Sequence, residues 1–120
     1  MTPTDKRVRF FKDISYLIET LSNEGIELMP TCFYRTSDEQ LTLYNQGKTK
    51  VLHSKHQDWL AMDFVLVKDG ELIWRRTQEY EKAGELWEKL GGTWGGRWES
   101  LNDIYHFEAS NEKGGEVKGG

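Results

Sequence analysis

A chain of 120 residues has room for one folded domain with a modest core, and 37% hydrophobic against 30% charged residues marks it as globular rather than disordered. A net charge of −4 excludes the basic face of a nucleic-acid binder, and no apolar run approaches the ~20 residues of a transmembrane helix, so neither nucleic acid nor membrane insertion is expected. The single cysteine excludes an internal disulfide, while five Trp, five Tyr and five Phe supply rings for both a core and a cleft.

Met1 to Arg7 lead into no apolar signal segment, so synthesis in the cytoplasm without a visible signal peptide is expected. Val8, Phe11, Ile14, Leu17, Ile18 and Leu21 recur at helical spacing and predict an amphipathic helix from Asp5 to Asn23, with Gly25 free to take the left-handed position after it. Ile26 to Tyr34 reads as a strand. Pro30 cannot donate to a ladder, which makes that strand an edge or a bulged one. Cys32, in this apolar segment, reads as a buried thiol. Thr36-Ser37-Asp38-Glu39 has the form of a capping box and predicts a second helix, ending at Gly47.

A loop from Gly47 to His53 then leads to Ser54-Lys55-His56 and on to Asp63, which opens an apolar strand from Ala61 to Val67. Lys68-Asp69-Gly70 predicts a hairpin turn into a return strand, Glu71 to Trp74. A third helix is predicted from Gln78 to Leu90, with Tyr80, Ala83, Leu86, Trp87 and Leu90 on one face. Trp94 to Trp98 forms a glycine-rich aromatic loop, and Ile104 to Ala109 a last strand. The order is α+β: a small central antiparallel sheet flanked by about three helices. Residues 1–110 make one domain and 111–120 a polar tail expected to be disordered.

A carboxylate at the mouth of an apolar strand is costly to desolvate unless something pairs with it. Asp63 has such partners within reach, His56 before it and His106 on a later strand. Imidazole, carboxylate and imidazole suit zinc better than magnesium or calcium, and three protein ligands leave an open position, as in catalytic rather than structural sites. Asp103, three residues before His106, serves either the turn chemistry of Asn102-Asp103 or, brought back by that turn, proton transfer beside the metal. His53 falls outside the ligand set and reads as a surface residue or a neighbour of the site.

Ser54-x-His56-x6-Asp63 together with Asp103-x-x-His106-Phe107-Glu108 resembles the zinc-dependent D-Ala-D-Ala carboxypeptidase and L-alanyl-D-glutamate endopeptidase family, the VanY-like group of peptidase family M15 that includes phage endolysins. Phe33-Tyr34-Arg35 before Glu39-Gln40, and Trp94-Gly95-Gly96-Arg97-Trp98, extend the likeness from Ile26 to Ala109. One position departs: Trp59 stands where many members have glycine, three residues after the first histidine.

The resemblance implies a hedgehog/D-Ala-D-Ala peptidase-like fold with the zinc site at the sheet. It implies His56, Asp63 and His106 as Zn2+ ligands, Asp103 as catalytic base and acid, and Arg35 and Ser54 as substrate-binding residues, Ser54 orienting either substrate or loop. The implied activity is hydrolysis of the peptidoglycan stem peptide, as an endolysin-like L-alanyl-D-glutamate endopeptidase or alternatively a D-Ala-D-Ala carboxypeptidase. Outside catalysis, the contrasting expectation is a metal-stabilised structural or binding module of a phage particle. A monomer is expected, acting on the bacterial cell wall after release by another factor. Trp98 and Tyr105 are expected as cleft walls or core.

Overall fold

Thr2 and Thr36 each close a reciprocal capping box, and the two N-terminal helices start from them. In α1 (Pro3–Ser22) the Thr2 hydroxyl accepts from the Asp5 amide while the Asp5 carboxylate accepts from the Thr2 amide, both at 3.1 Å. Thr36 and Glu39 repeat the exchange at α2 (Ser37–Asn45), and each such cap contributes about 1 kcal/mol. The computed structural model describes residues 1–110, so the disordered tail expected over 111–120 lies outside the described residues.

The buried stripe of α1 differs from the expected one. Phe10, Ile14, Leu17 and Leu21 face the core, whereas Val8, Phe11 and Ile18 are exposed. The helix carries two overlapping apolar stripes, and periodicity alone does not say which of them meets the sheet. The resolution is that Phe10 packs edge-on against Trp87 of α3 (Gln78–Lys89), ring centroids 5.6 Å apart.

The strands are β1 (Ile26–Cys32), β2 (Ala61–Lys68), β3 (Glu71–Ile73), β4 (Gly92–Trp94) and β5 (His106–Ala109). They form one antiparallel sheet in the order β1-β2-β5-β4, with β3 also paired to β2. Among the described residues β1 pairs only with β2, and its register breaks between Pro30 and Cys32. Pro30 thus accompanies both an edge and a bulge. Asp69 and Gly70, at φ 53° and 78°, make the two-residue turn between the paired Lys68 and Glu71. The stretch read as a loop around Trp94 contains β4 and a 3-10 turn, Gly95–Arg97. The last strand starts at His106, not Ile104, because a turn intervenes in which the His106 amide donates to the Asp103 carbonyl.

Side-chain alternation divides the sheet into two faces. Met62, Phe64, Leu66, Trp94 and Phe107 join Phe10, Ile14, Tyr80 and Trp87 in the core. Fully burying each such apolar side chain contributes about 1.5–3 kcal/mol. The alternate positions, Asp63 on β2 and His106 and Glu108 on β5, therefore lie on the face away from α1 and α3. Two core tryptophans secure the segment that carries them: Trp94 Nε1 donates to the Ile104 carbonyl and Trp87 Nε1 to that of Glu108, both at 2.9 Å.

Candidate metal centre and cleft

Asp63 and His106 are direct partners across the β2–β5 ladder, and Cys32 is the partner of Asp63 across β1–β2. Strand register alone therefore sets an imidazole on one side of the carboxylate and a thiol on the other. His56 reaches the same point from a 3-10 turn, Lys55–Asp58. Asp63 Oδ1 lies 2.9 Å from His106 Nδ1 and 3.3 Å from His56 Nε2, the latter without hydrogen-bond alignment. Donor atoms form two clusters that share Asp63: Cys32, His56 and Asp63, and Asp63, Asp103 and His106.

Each histidine is oriented through its other nitrogen. His56 Nδ1–H donates to the Phe33 carbonyl at 3.1 Å, and His106 Nε2–H donates to Glu108 Oε1 at 2.7 Å. These opposite tautomers turn His56 Nε2 and His106 Nδ1 towards Asp63. His56 is fully buried, and its Nε2 is left without a hydrogen-bond partner. A buried, unsatisfied imidazole nitrogen beside a carboxylate and a second imidazole fits a zinc ion well.

The electrostatics agree. Burial alone would lower the His56 pKa, but the nearby Asp63 carboxylate and the Cys32 thiol outweigh it and lift the value to about 9. Burial likewise acts to lower His106, and the carboxylates of Asp63 and Glu108 raise it to about 8. Burial pushes Asp63 up, yet the imidazoles of His106 and His56 hold it well below the usual carboxylate range. Asp103 shifts the other way, raised by burial and by the Asp63 charge. Two carboxylates in one cluster thus have opposite proton affinities, one fit to stay ionised and one to exchange a proton. The Cys32 thiol is lowered by its contact with His56, 3.7 Å away. It is only half-buried, because the register break after Pro30 brings it to this cluster instead of the core.

Asp103 reaches the cluster through the turn that ends at His106, with Oδ1 accepting from the Tyr105 amide at 3.1 Å. Gly95 explains why this turn can sit so close. A Cβ there would lie 2.4 Å from the Asp103 carbonyl oxygen and 3.0 Å from His106 Cβ. The glycine-rich loop is therefore a gap into which the Asp103–His106 turn packs.

The adjoining cleft, about 140 Å³, is lined by Arg35, Lys48, Trp98, Leu101, Asp103 and His106 among others. A larger hollow of about 630 Å³ beside α1 contains none of the clustered histidines or aspartates. Arg35 Nη1 donates to Gln40 Oε1 at 2.9 Å, and its Nη2 lies 3.9 Å from Asp63 Oδ2. Gln40 is fully buried and anchored in turn to the Val51 carbonyl. Ser54 is fully buried too, its Oγ capping the 3-10 turn by accepting from the His56 amide at 3.1 Å, contacts that fit the loop-orienting role. His53 is exposed and paired with Asp58, as expected of a surface residue. Trp98 lines the cleft with a buried Nε1 that has no hydrogen-bond partner, whereas Tyr105 packs against Tyr80 and Trp74.

Glu108 and Gln40 were absent from the expected site. Glu108 was legible in principle, since residues i and i+2 of a strand share a face. Gln40 stood within the family-like segment after Arg35, but nothing in that segment marked it as the partner of Arg35.

Known proteins are similar to this chain in sequence and in fold. A family model described as D-alanyl-D-alanine carboxypeptidase matches residues 47–109, just over half of the chain. The peptidoglycan L-alanyl-D-glutamate endopeptidase CwlK of Bacillus subtilis is 32% identical over 124 residues, covering 88% of this chain and 74% of that protein. The L-alanyl-D-glutamate peptidase of Listeria phage A118 is 30% identical over 94 residues, covering 77% of this chain and 34% of its own length. In fold, the chain is similar to the Serratia marcescens L-Ala D-Glu endopeptidase ChiX (TM-score 0.60, 23% identity, 71% of this chain and 68% of that one). It is similar also to the L,D-carboxypeptidase DacB of Streptococcus pneumoniae (TM-score 0.60, 16% identity, 88% and 67%).

Proposed function

The chain belongs to the D-alanyl-D-alanine carboxypeptidase family, peptidase family M15, and from that premise we propose that it is a zinc-dependent endopeptidase cutting the peptidoglycan stem peptide between L-Ala and D-Glu. The observation that carries the site assignment is a single carboxylate oxygen, Asp63 Oδ1, facing the two imidazole nitrogens that the tautomers leave for a metal. The bond preference draws on the relatives named for L-alanyl-D-glutamate cleavage. The family model's own description favours a second reading, removal of a terminal D-Ala.

In this reading His56 Nε2, Asp63 and His106 Nδ1 would hold Zn2+. Bound zinc supplies a Lewis acid for the scissile carbonyl and makes water a nucleophile at neutral pH. Asp103, with its raised proton affinity, takes the proton of the attacking water and delivers it to the leaving amine. Arg35, held by Gln40 at the cleft edge, pairs with a stem-peptide carboxylate through its planar fork. Ser54 acts through the loop it caps, and Trp98 forms a wall of the cleft. The catalytic unit is residues 1–110, working as a monomer on the cell wall after release from the cytoplasm by another factor. No described helix is long and apolar enough to cross a membrane. A purely structural module would have no use for Asp103 in the metal cluster.

Mass spectrometry of digested peptidoglycan tests the bond. Stem peptides beginning at D-Glu are expected, and loss of terminal D-Ala alone would move the protein to the second reading. Asp103→Asn is expected to keep stoichiometric zinc and lose about 10²–10⁴ in kcat. Full activity in that variant would remove Asp103 from the proton path.

A further inference from the structure

We propose that Phe11, Tyr34 and Trp59 form a carbohydrate subsite beside the metal centre, taking the sugar ring of the glycan strand that bears the stem peptide; this rests on the peptidoglycan reading above. Trp59 is the starting point. It occupies the left-handed region, φ 61° and ψ 34°, where a side chain is disfavoured and glycine is free. Core packing gives no reason for this, because the indole remains 39% exposed. It is instead stacked on Tyr34, centroids 4.6 Å apart at 20°, and set edge-on to Phe33 at 5.1 Å. Phe33 in turn stacks with Phe11 at 6.5 Å and 4°. Tyr34 and Phe11 are 45% and 60% exposed, so the row of rings opens to solvent.

A strained backbone position that holds a large aromatic at the surface points to a ligand. The row is tied to the metal-centre residues through the backbone at the β1 edge: the Phe33 carbonyl accepts from His56 Nδ1, the Trp59 amide donates to the His56 carbonyl, and Tyr34 adjoins Arg35. Its rim is polar, with the exposed His53–Asp58 pair and Arg7, whose Nε donates to the Asp58 carbonyl. A pyranose matches this surface, with C–H faces for the rings and hydroxyls for the rim. The muramic-acid sugar is joined to L-Ala, one residue from the scissile bond, so it lies within reach when that bond is at the metal centre.

The test compares kcat/KM of the zinc-loaded protein on an N-acetylmuramyl-L-Ala-D-Glu-containing tripeptide and on the same peptide with an N-acetyl group in place of the sugar. The wild type is expected to favour the sugar-bearing substrate by about tenfold. Trp59→Gly and Tyr34→Ala should bring that ratio towards one with zinc content unchanged. A wild-type ratio of one, or variants that keep the preference, would overturn the subsite and leave the peptidase reading intact. Cleavage of neither substrate by the wild type would overturn the peptidase reading and the subsite with it. Self-association abolished by Trp59→Gly would assign the rings to a second copy of the chain and refute the sugar.

Discussion

Glu108→Ala would perturb the proposed metal centre without touching a proposed ligand. Glu108 is fully buried, with Oε1 accepting from His106 Nε2 at 2.7 Å and Oε2 3.4 Å from Lys55 Nζ. Removing it leaves the His106 N–H unpaired on a side chain only 3% exposed, an unsatisfied buried donor that costs about 1–3 kcal/mol. The ring then has no group selecting the tautomer that presents Nδ1 to Asp63. Losing an outer carboxylate of this kind weakens metal binding about 10–100-fold. At the upper end, this removes about 2.7 kcal/mol of zinc-linked stabilisation. Glu108→Gln keeps an acceptor oxygen and gives up the charge, so it should fall between the two. Zinc affinity by chelator competition, with thermal unfolding in zinc and in chelator, reads both effects. Wild-type zinc affinity in Glu108→Ala would refute the reasoning, and equal losses in both variants would refute the ordering.

Two further outcomes follow from the same geometry. Gly95→Ala forces a Cβ into the Asp103 carbonyl, and about 1–3 kcal/mol of stability should be lost in denaturant titration along with activity; a wild-type midpoint would show that the turn yields freely. Because folding raises the His56 and His106 pKa values to about 9 and 8, their stabilising contribution without zinc is complete below about pH 6.5 and is lost as pH rises through 8 to 9. Zinc must displace those protons, so its affinity should rise over the same interval and level off above it. Chelator-treated protein that grows more stable from pH 6.5 to 9 would contradict both signs.

What the sequence disclosed was what leaves a periodic or spaced mark. The capping boxes and the Asp69-Gly70 turn act within a few residues, and each appears where expected; His56, Asp63 and His106 were singled out by their motifs, and the strand register brings Asp63 and His106 together. The α1 stripe was misjudged because two apolar faces overlap and only tertiary contact chooses between Phe10 and Phe11. Cys32 was assigned to the core because a one-residue break in register is invisible before the strands are paired. Trp59 broke the glycine pattern in sequence, yet the backbone keeps the left-handed conformation that glycine would favour. That conformation costs about 1–2 kcal/mol for a side chain.

The strand order gives the site an all-or-nothing character. β5, the last element of the described chain, is inserted between β2 and β4, and brings His106 to an aspartate 43 positions earlier. Proteolytic nicking or fraying of these few residues would therefore deprive the sheet of a central strand and the proposed zinc site of a ligand in one event. Damaged molecules should accumulate as inactive, protease-sensitive chains rather than as weakened enzymes, so that during partial digestion activity falls in proportion to the intact chain and activity per intact chain stays constant.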